Sequence, residues 1–212
     1  MKKTFLIVAF ILLLWIPLHA ASQLSVTAGN HLWLTGTSTL HPYASTSTPT
    51  QIVAVLAPGN GVEATAPVPM YLVDIAHRAP FEKFEVVIPV KGLKSGESGL
   101  DKNMYKALKS EQAPEIQYTL THYEALASTA ADVSIPFKAA GQLSIAGVQK
   151  EITMSGIGRV EAEELAVDGQ YTLLMSDYGI RPPKLLMGAI KVGDSVVIHF
   201  HLKFKLNKGE IQ

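Results

Sequence analysis

Hydrophobic side chains in this sequence recur mainly at every second position, the spacing that places alternate side chains on one face of a β-strand. The longest example is the stretch SVVIHFHLKFKL at 195–206, in which the intervening positions are mostly histidine and lysine. Its apolar file consists of Val196, Ile198, Phe200, Leu202, Phe204 and Leu206. So long a stripe faces either a solid core or a cavity that holds an apolar ligand.

Shorter stretches repeat the alternation along most of the chain. Two dipeptides, Gly29-Asn30 and Asp168-Gly169, are typical of tight hairpin turns between such strands. The further predicted strands lie at 24–27, 32–37, 51–57, 84–90, 116–120, 137–145, 152–154 and 171–175. Many short strands with turns between them, and only one clear helix, predict an all-β fold that is an antiparallel sandwich or barrel.

The one predicted helix covers residues 99–110. Leu100, Met104 and Leu108 recur at intervals of four and form an apolar stripe, and Ser98 with Asp101 makes a capping pair. A single helix cannot cover both faces of a sheet, but it can close the end of a barrel. We therefore expect these three apolar side chains at a barrel mouth.

A second candidate for the mouth is the apolar loop RPPKLLMGAI at 181–190. Connecting segments normally lie on the protein surface. The side chains of Leu185, Leu186 and Met187 are apolar, so we expect them to pack against other apolar groups and not to lie open in water. The loop is either a lid that moves to admit a ligand or a fixed plug over the barrel end. Its two prolines favour the plug.

The barrel interpretation raises the question of interior space. A closed sheet of about eight strands can be filled by side chains or can hold one small ligand. Ala139, Gly141, Gly156 and Gly158 lie within the apolar files and either leave room or mark bulges and bends. Pro89 cannot donate to a neighbouring strand, so its strand ends near it or the barrel closes imperfectly there.

The amino-terminal segment predicts export. Lys2 and Lys3 precede an apolar run at 5–16, which is shorter than the roughly 20 residues that a membrane-spanning helix needs. Small residues follow, so we expect a signal peptide at 1–22, cleaved after Ala20 or Ser22, and a single domain at 23–212 with no stable membrane anchor. The absence of cysteine excludes disulfides and a lipid-modified amino terminus.

Charge and motifs exclude several function classes. Removal of the two leader lysines leaves 16 basic residues against 18 acidic ones, and no cluster of basic charge suggests a nucleic-acid partner. There is no G-x-S-x-G motif or cysteine nucleophile, and Asp74 and Asp177 are single carboxylates. The sequence therefore predicts a protein that is not an enzyme, with no cofactor.

Two histidines of the long strand allow a metal hypothesis. His199 and His201 lie on one face and could supply two ligands, but a third ligand such as His122 cannot be placed beside them from sequence. The alternative is a pair of solvated histidines on the outer face of the strand. That alternative agrees better with the lysines that continue the file.

Four segments resemble the YceI-like family of exported bacterial proteins. They are GTSTLH at 36–41, the long stretch VKGLKSGESGLDKNMYKALKSEQAPEIQYTL at 90–120, AAGQLSIAGVQKEITMSGIG at 139–158, and SDYGIRPPKLLMGAIKVGDSVVIHF at 176–200. The resemblance implies an extended lipocalin-like antiparallel barrel in the periplasm. It also implies an elongated apolar cavity for a polyisoprenoid, a quinone or another long-chain amphiphile.

The resulting hypothesis is a carrier whose site is a set of apolar positions. Tyr118 and Tyr171 could also offer a hydroxyl to a ligand head group. The predicted lining residues are Phe84, Val86, Ile88, Tyr118, Leu143, Ile145, Met154, Tyr171, Leu173, Ile198, Phe200 and Phe204. The alternative is a structural or stress-related interaction protein whose barrel is filled. The sequence also allows a homodimer, because strands at a bulge or break can pair between subunits.

Overall fold

The computed structural model describes residues 23–49, 51–57, 67–126, 129, 133–185 and 189–207. The predicted signal peptide at 1–22, together with Leu186 and Met187, lies outside these residues. The strands are β1 Gln23–Val26, β2 His31–Ser38, β3 Tyr43–Ser47, β4 Gln51–Leu56, β5 Phe81–Pro89, β6 Glu115–Ala125, β7 Ser134–Ile145, β8 Val148–Glu161, β9 Glu164–Leu174, β10 Lys184–Leu185 and β11 Ile190–Asn207. The α-helices are α1 Val68–Arg78 and α2 Ser98–Ala107.

The strands form an antiparallel ring. Each of β4 to β8 pairs with the next strand along the chain, β9 pairs with β11, and β11 returns to β1, which also pairs with β4. The β1–β4 contact rests on one residue pair, Gln23 with Val55. Beside it, β2 continues along β11 and carries β3 on its other side. The predicted all-β antiparallel barrel is confirmed.

Two consecutive segments, β1 and β2, act as one interrupted strand along β11. Val26 pairs with Phe204 and His31 with His201, so both segments follow the same partner in the same direction. Between them, the Lys203 backbone N–H donates to Asn30 Oδ1 at 2.7 Å. The hairpin predicted at Gly29-Asn30 is therefore wrong, because the Asn30 side chain replaces a backbone partner across a local bulge.

The second predicted hairpin, at Asp168-Gly169, is also wrong. Both residues lie inside β9, where Gly169 pairs with Phe200 of β11. The actual turn between β8 and β9 is at 162–163, with Ala162 at φ 54°. A glycine inside a strand often marks the close approach of another group. Here a Cβ on Gly169 would collide with the Phe200 ring.

Other interior glycines accept aromatic rings in the same way. A Cβ on Gly156 would lie 2.5 Å from the Phe137 ring, and one on Gly141 would lie 2.6 Å from the Tyr118 ring. These positions therefore neither leave open space nor simply mark bends. They let a large ring on the neighbouring strand lie flat over the sheet.

Helix α1 contradicts the expectation of a single helix. Leu72 and Ile75 are 0% and 1% exposed, and the helix contacts β6, β8 and β9. Pro69 fits its first turn, where a missing N–H costs nothing, and Ala79 ends it in the left-handed conformation. The helical spacing of its buried side chains was a usable signal in the sequence.

Helix α2 lies where the sequence predicts it but is capped differently. The Asp101 carboxylate accepts from the Ser95 N–H at 2.8 Å and from the Ser95 hydroxyl at 2.7 Å, so Ser98 is not its partner. No residue of α2 is buried. The helix therefore lies against the outside of the barrel.

The two helices mark opposite ends of the barrel. Helix α1 connects β4 to the start of β5, whereas α2 follows the end of β5, which is Pro89. We call these the α1 end and the α2 end. One hydrophobic cluster surrounds Leu72 and Phe204 at the α1 end, and a second surrounds Leu143 and Tyr178 at the α2 end.

Candidate ligand-binding cavity

An apolar cavity of about 170 Å³ lies inside the barrel between the two clusters. Its wall extends from Leu93, next to α2, to Ile75 and Phe81 at the α1 end. Because both clusters contribute side chains, the free space follows the length of the barrel. The lining residues are Leu24, Leu32, Leu34, Pro49, Ile75, Ala76, Ala79, Phe81, Phe84, Val86, Ile88, Leu93, Ile116, Tyr118, Leu120, Tyr123, Phe137, Ala139, Leu143, Ile152, Met154, Gly158, Leu165, Val167, Tyr171, Ile198, Phe200, Leu202 and Phe204.

Ten of the twelve predicted lining residues lie on this wall. The other two, Ile145 and Leu173, are buried in the cluster at the α2 end and are outside the lining set. Their placement follows from their positions near the ends of β7 and β9. That the wall residues bind a ligand stays a prediction.

The two faces of β11 have the orientation that its alternation predicts. Ile198, Phe200 and Phe204 line the cavity. On the opposite face, the His199 ring stacks on Trp33 with centroids 4.9 Å apart and planes at 7°. The sequence pattern therefore identifies the inward file of the longest strand.

The outer histidines have protein partners. His201 Nδ1 lies 2.6 Å from Asp168 Oδ1, and His199 Nε2 lies 3.4 Å from Thr35 Oγ1. His122 lies on β6, which several strands separate from β11. Within the part of the chain that the structure describes, no group of three or more His, Cys, Asp or Glu side chains could hold a metal ion.

Sequence reasoning missed the wall at the α1 end. Ile75, Ala76 and Ala79 come from α1 or its end, which was not predicted. Tyr123 was missed for another reason. A register shift between Leu120 and His122 changes the parity of β6, so that Tyr118 and Tyr123 both reach the cavity. No residue type in the sequence announces this shift.

Two of the three tyrosines in the wall, Tyr118 and Tyr123, have hydroxyls with different surroundings. The Tyr123 hydroxyl donates to the Ala76 carbonyl of α1. The Tyr118 hydroxyl is buried and has no hydrogen-bond partner among the described residues. Burial raises the pKa of Tyr123 to about 12 and also raises the pKa of Tyr118. Both phenols are therefore neutral at ordinary pH.

The free volume limits what fits without rearrangement. A cavity of about 150 Å³ can hold one benzene molecule, and sites for drug-sized ligands measure roughly 300–1,000 Å³. At about 170 Å³ the cavity accepts a chain segment a few carbons long. A longer chain requires lining side chains to rotate or the strands to separate locally.

The predicted mouth segments both lie at the α2 end. Leu100 and Met104 are half-buried on α2, Leu108 is half-buried just after its last residue, and none of them belongs to the lining set. The backbone of Leu185 pairs with Ile190 in a short hairpin, and Leu186 and Met187 lie outside the described residues. Whether this loop is a lid or a plug stays open.

The YceI-like domain matches residues 61–204 of the sequence. The chain belongs to the YceI-like family. No curated protein sequence matches it. Among the described residues, neither helix has the length and apolar character needed to cross a membrane.

Solved structures support the same fold for this YceI-like chain. Burkholderia cenocepacia BcnA has a TM-score of 0.61 at 14% identity, covering 84% of this chain and 99% of BcnA. A polyisoprenoid binding domain from Saccharophagus degradans has a TM-score of 0.56 at 13% identity, covering 89% and 100%. The YCEI protein of Campylobacter jejuni has a TM-score of 0.52 at 16% identity, covering 76% and 84%.

Proposed function

We propose that this protein is an exported, periplasmic binding protein without enzymatic activity that carries a long-chain apolar ligand inside its barrel. The ligand class is a polyisoprenoid, an isoprenoid quinone or a similar amphiphile. The observation that carries the proposal is the apolar cavity that extends between the two hydrophobic clusters. The signal-like segment at 1–22 supports export.

The physical basis of binding is the removal of apolar surface from water. Each Å² of buried apolar surface contributes about 25 cal/mol before the costs of association. A hydrocarbon tail carries no hydrogen-bonding groups, so a wall of aliphatic and aromatic side chains is sufficient to hold it. The similarity to a polyisoprenoid binding domain agrees with such a ligand.

The small free volume favours a second candidate, in which the barrel is filled and the protein has a structural or stress-related interaction role. Both candidates predict a stable barrel. They differ in whether the purified protein carries a lipid and whether added lipid stabilises it.

The test is extraction of the mature protein, purified from its native host without added lipid, into organic solvent, followed by mass spectrometry. The proposal expects a long-chain species in stoichiometric amount, and a higher melting temperature when isoprenoid quinone is added to delipidated protein. Repeated extracts without such a species, together with an unchanged melting temperature, would favour the filled barrel.

A further inference from the structure

The Tyr118 hydroxyl is a polar atom without a partner in an otherwise apolar wall. It is buried, and it has no hydrogen-bond partner among the described residues. Buried hydroxyls are normally hydrogen-bonded, because an unsatisfied one costs free energy. Almost none of its surface is accessible while the lining side chains fill the cavity, so an acceptor reaches it only after the rotation of side chains that a longer ligand requires. Because Tyr118 lines the cavity, a ligand inside the barrel could supply the missing acceptor.

Tyr123 is an internal comparison for this hydroxyl. It lies on the same strand, lines the same cavity, and donates to the Ala76 carbonyl. At the α1 end the fold therefore supplies an acceptor for its inward tyrosine. At Tyr118 the described residues supply none.

The position of Tyr118 assigns it to the α2 half of the barrel. It lies three residues after the start of β6 and packs against the cluster at the α2 end. Its neighbours across the strands are Val86 and Leu143, both apolar. The Tyr118 ring lies over Gly141, which fixes its plane against the wall.

We propose that the Tyr118 hydroxyl donates a hydrogen bond to an uncharged acceptor, such as a carbonyl oxygen, near the head of the lipid in the cavity. The tail then extends toward Ile75 and Phe81 at the α1 end. A charged head group at this depth is disfavoured, since burial of an unpaired charge in apolar surroundings is very costly. The raised pKa of Tyr118 agrees with surroundings that disfavour charge. This inference rests on the proposed function and narrows its ligand class.

The experiment compares two ligands that differ in one group: a long-chain methyl ketone and the alkane with the same number of carbons. Affinities are measured by displacement of a fluorescent apolar probe from delipidated wild-type protein, Tyr118→Phe and the control Tyr123→Phe. Loss of a neutral hydrogen bond is expected to lower affinity about 3- to 10-fold. Tyr118→Phe should therefore weaken ketone binding by that factor and leave alkane binding unchanged. Tyr123→Phe should not change the ratio of the two affinities.

A measurement without ligand tests the unpartnered state of the hydroxyl. Removing an unsatisfied buried hydroxyl should leave the urea midpoint of Tyr118→Phe unchanged or raise it, whereas Tyr123→Phe should lower the midpoint. A destabilised Tyr118→Phe would mean that the hydroxyl has a partner within the protein, which overturns the proposal.

The outcomes separate this inference from the proposed function. If wild-type protein binds both chains and Tyr118→Phe binds the ketone equally well, the cavity function stands and the role of Tyr118 is wrong. If wild-type protein binds neither chain, the proposed function fails, and the inference fails with it.

Discussion

The two ends of the barrel are closed in different ways. At the α1 end, Leu72 and Ile75 are among the most buried side chains of the protein, and the Tyr123 hydroxyl is bonded to the helix backbone. At the α2 end, the helix has no buried residue. The half-buried Leu108 that follows it packs against the second cluster. The helix at one end is thus part of the core, and the helix at the other end is peripheral.

This difference bears on where the proposed ligand would enter. Opening the α1 end would expose a helix that contributes to the main core, whereas α2 could move with little loss of buried surface. Local opening generally involves elements with few buried apolar contacts. We therefore infer that the α2 end is the mouth, with α2 and the hairpin of β10 and β11 beside it.

The largest expected difference between the ends is in stability. Leu72→Ala removes a fully buried side chain and should cost about 2–5 kcal/mol, the usual range for leucine in a core. The matched change Leu108→Ala at the C-terminal cap of α2 should cost about 1 kcal/mol or less, because this side chain is only half-buried. Urea unfolding of the purified variants measures both values. Equal losses would contradict the distinction between a core helix and a peripheral one.

A second difference concerns the two faces of the wall that joins these ends. Phe200→Asp places a carboxylate in the cavity and should lower affinity for a fluorescent apolar probe at least about tenfold, since an unpaired charge is poorly tolerated there. His199→Asp introduces the same charge on the outer face and should leave affinity nearly unchanged. Probe titration tests the pair, with circular dichroism to establish that both variants fold. Comparable losses in two folded variants would mean that the cavity is not the binding site.

Tyr123 at the α1 end should also make the free energy of unfolding fall at alkaline pH. The pKa of Tyr123 is about 12 in the folded protein and near 10 when the chain is unfolded. Between these two values the folded state keeps a proton that the unfolded state loses, so the free energy of unfolding falls as pH rises. The contribution of Tyr123 to that free energy is complete below about pH 10 and is lost as pH rises toward 12. Tyr123→Phe should show a shallower fall of the urea midpoint across this window. An identical slope of urea midpoint against pH in the variant would exclude Tyr123 as a source of the alkaline loss of stability.

The smallest predicted effect concerns the attachment of α2. The Tyr105 hydroxyl donates to the Leu93 carbonyl at 2.6 Å and so ties the helix to the chain beside the cavity. Tyr105→Phe removes that bond, worth about 1 kcal/mol, together with the bonds to the Lys91 carbonyl and from Lys94 Nζ, and should raise the rate of ligand release severalfold. Stopped-flow measurement of probe release is the readout, with Tyr123→Phe as the control. If the mouth were at the α1 end, Tyr123→Phe should release the probe faster than Tyr105→Phe.

Much of this architecture could be predicted from the sequence because the alternation of apolar and polar positions in a strand indicates which side chains face the interior. The inward file of β11 follows from that period alone. The period fails where the backbone departs from regular geometry. The register shift beside Leu120 made Tyr123 an inward residue, and the bulge at Asn30 looked like a hairpin.

Long-range partners explain the other errors. Gly169 has the local sequence of a turn, but its role depends on Phe200, which lies 31 positions away and reaches it only across the sheet. Helix α1 could have been found from the spacing of its buried residues. The lack of a hydrogen-bond partner at Tyr118 could not have been found from the sequence, because it depends on which atoms the completed fold brings near its hydroxyl.

The central claim is that the barrel binds a long chain along its interior with the head toward α2. A crystal structure with a long-chain methyl ketone that carries bromine at its tail end tests this most directly. We expect continuous density through the cavity, the carbonyl within hydrogen-bonding distance of Tyr118, and the anomalous bromine peak near Ile75 and Phe81. A ligand on the outer surface, or an interior that stays closed by side chains while the ligand is bound elsewhere, would contradict the account.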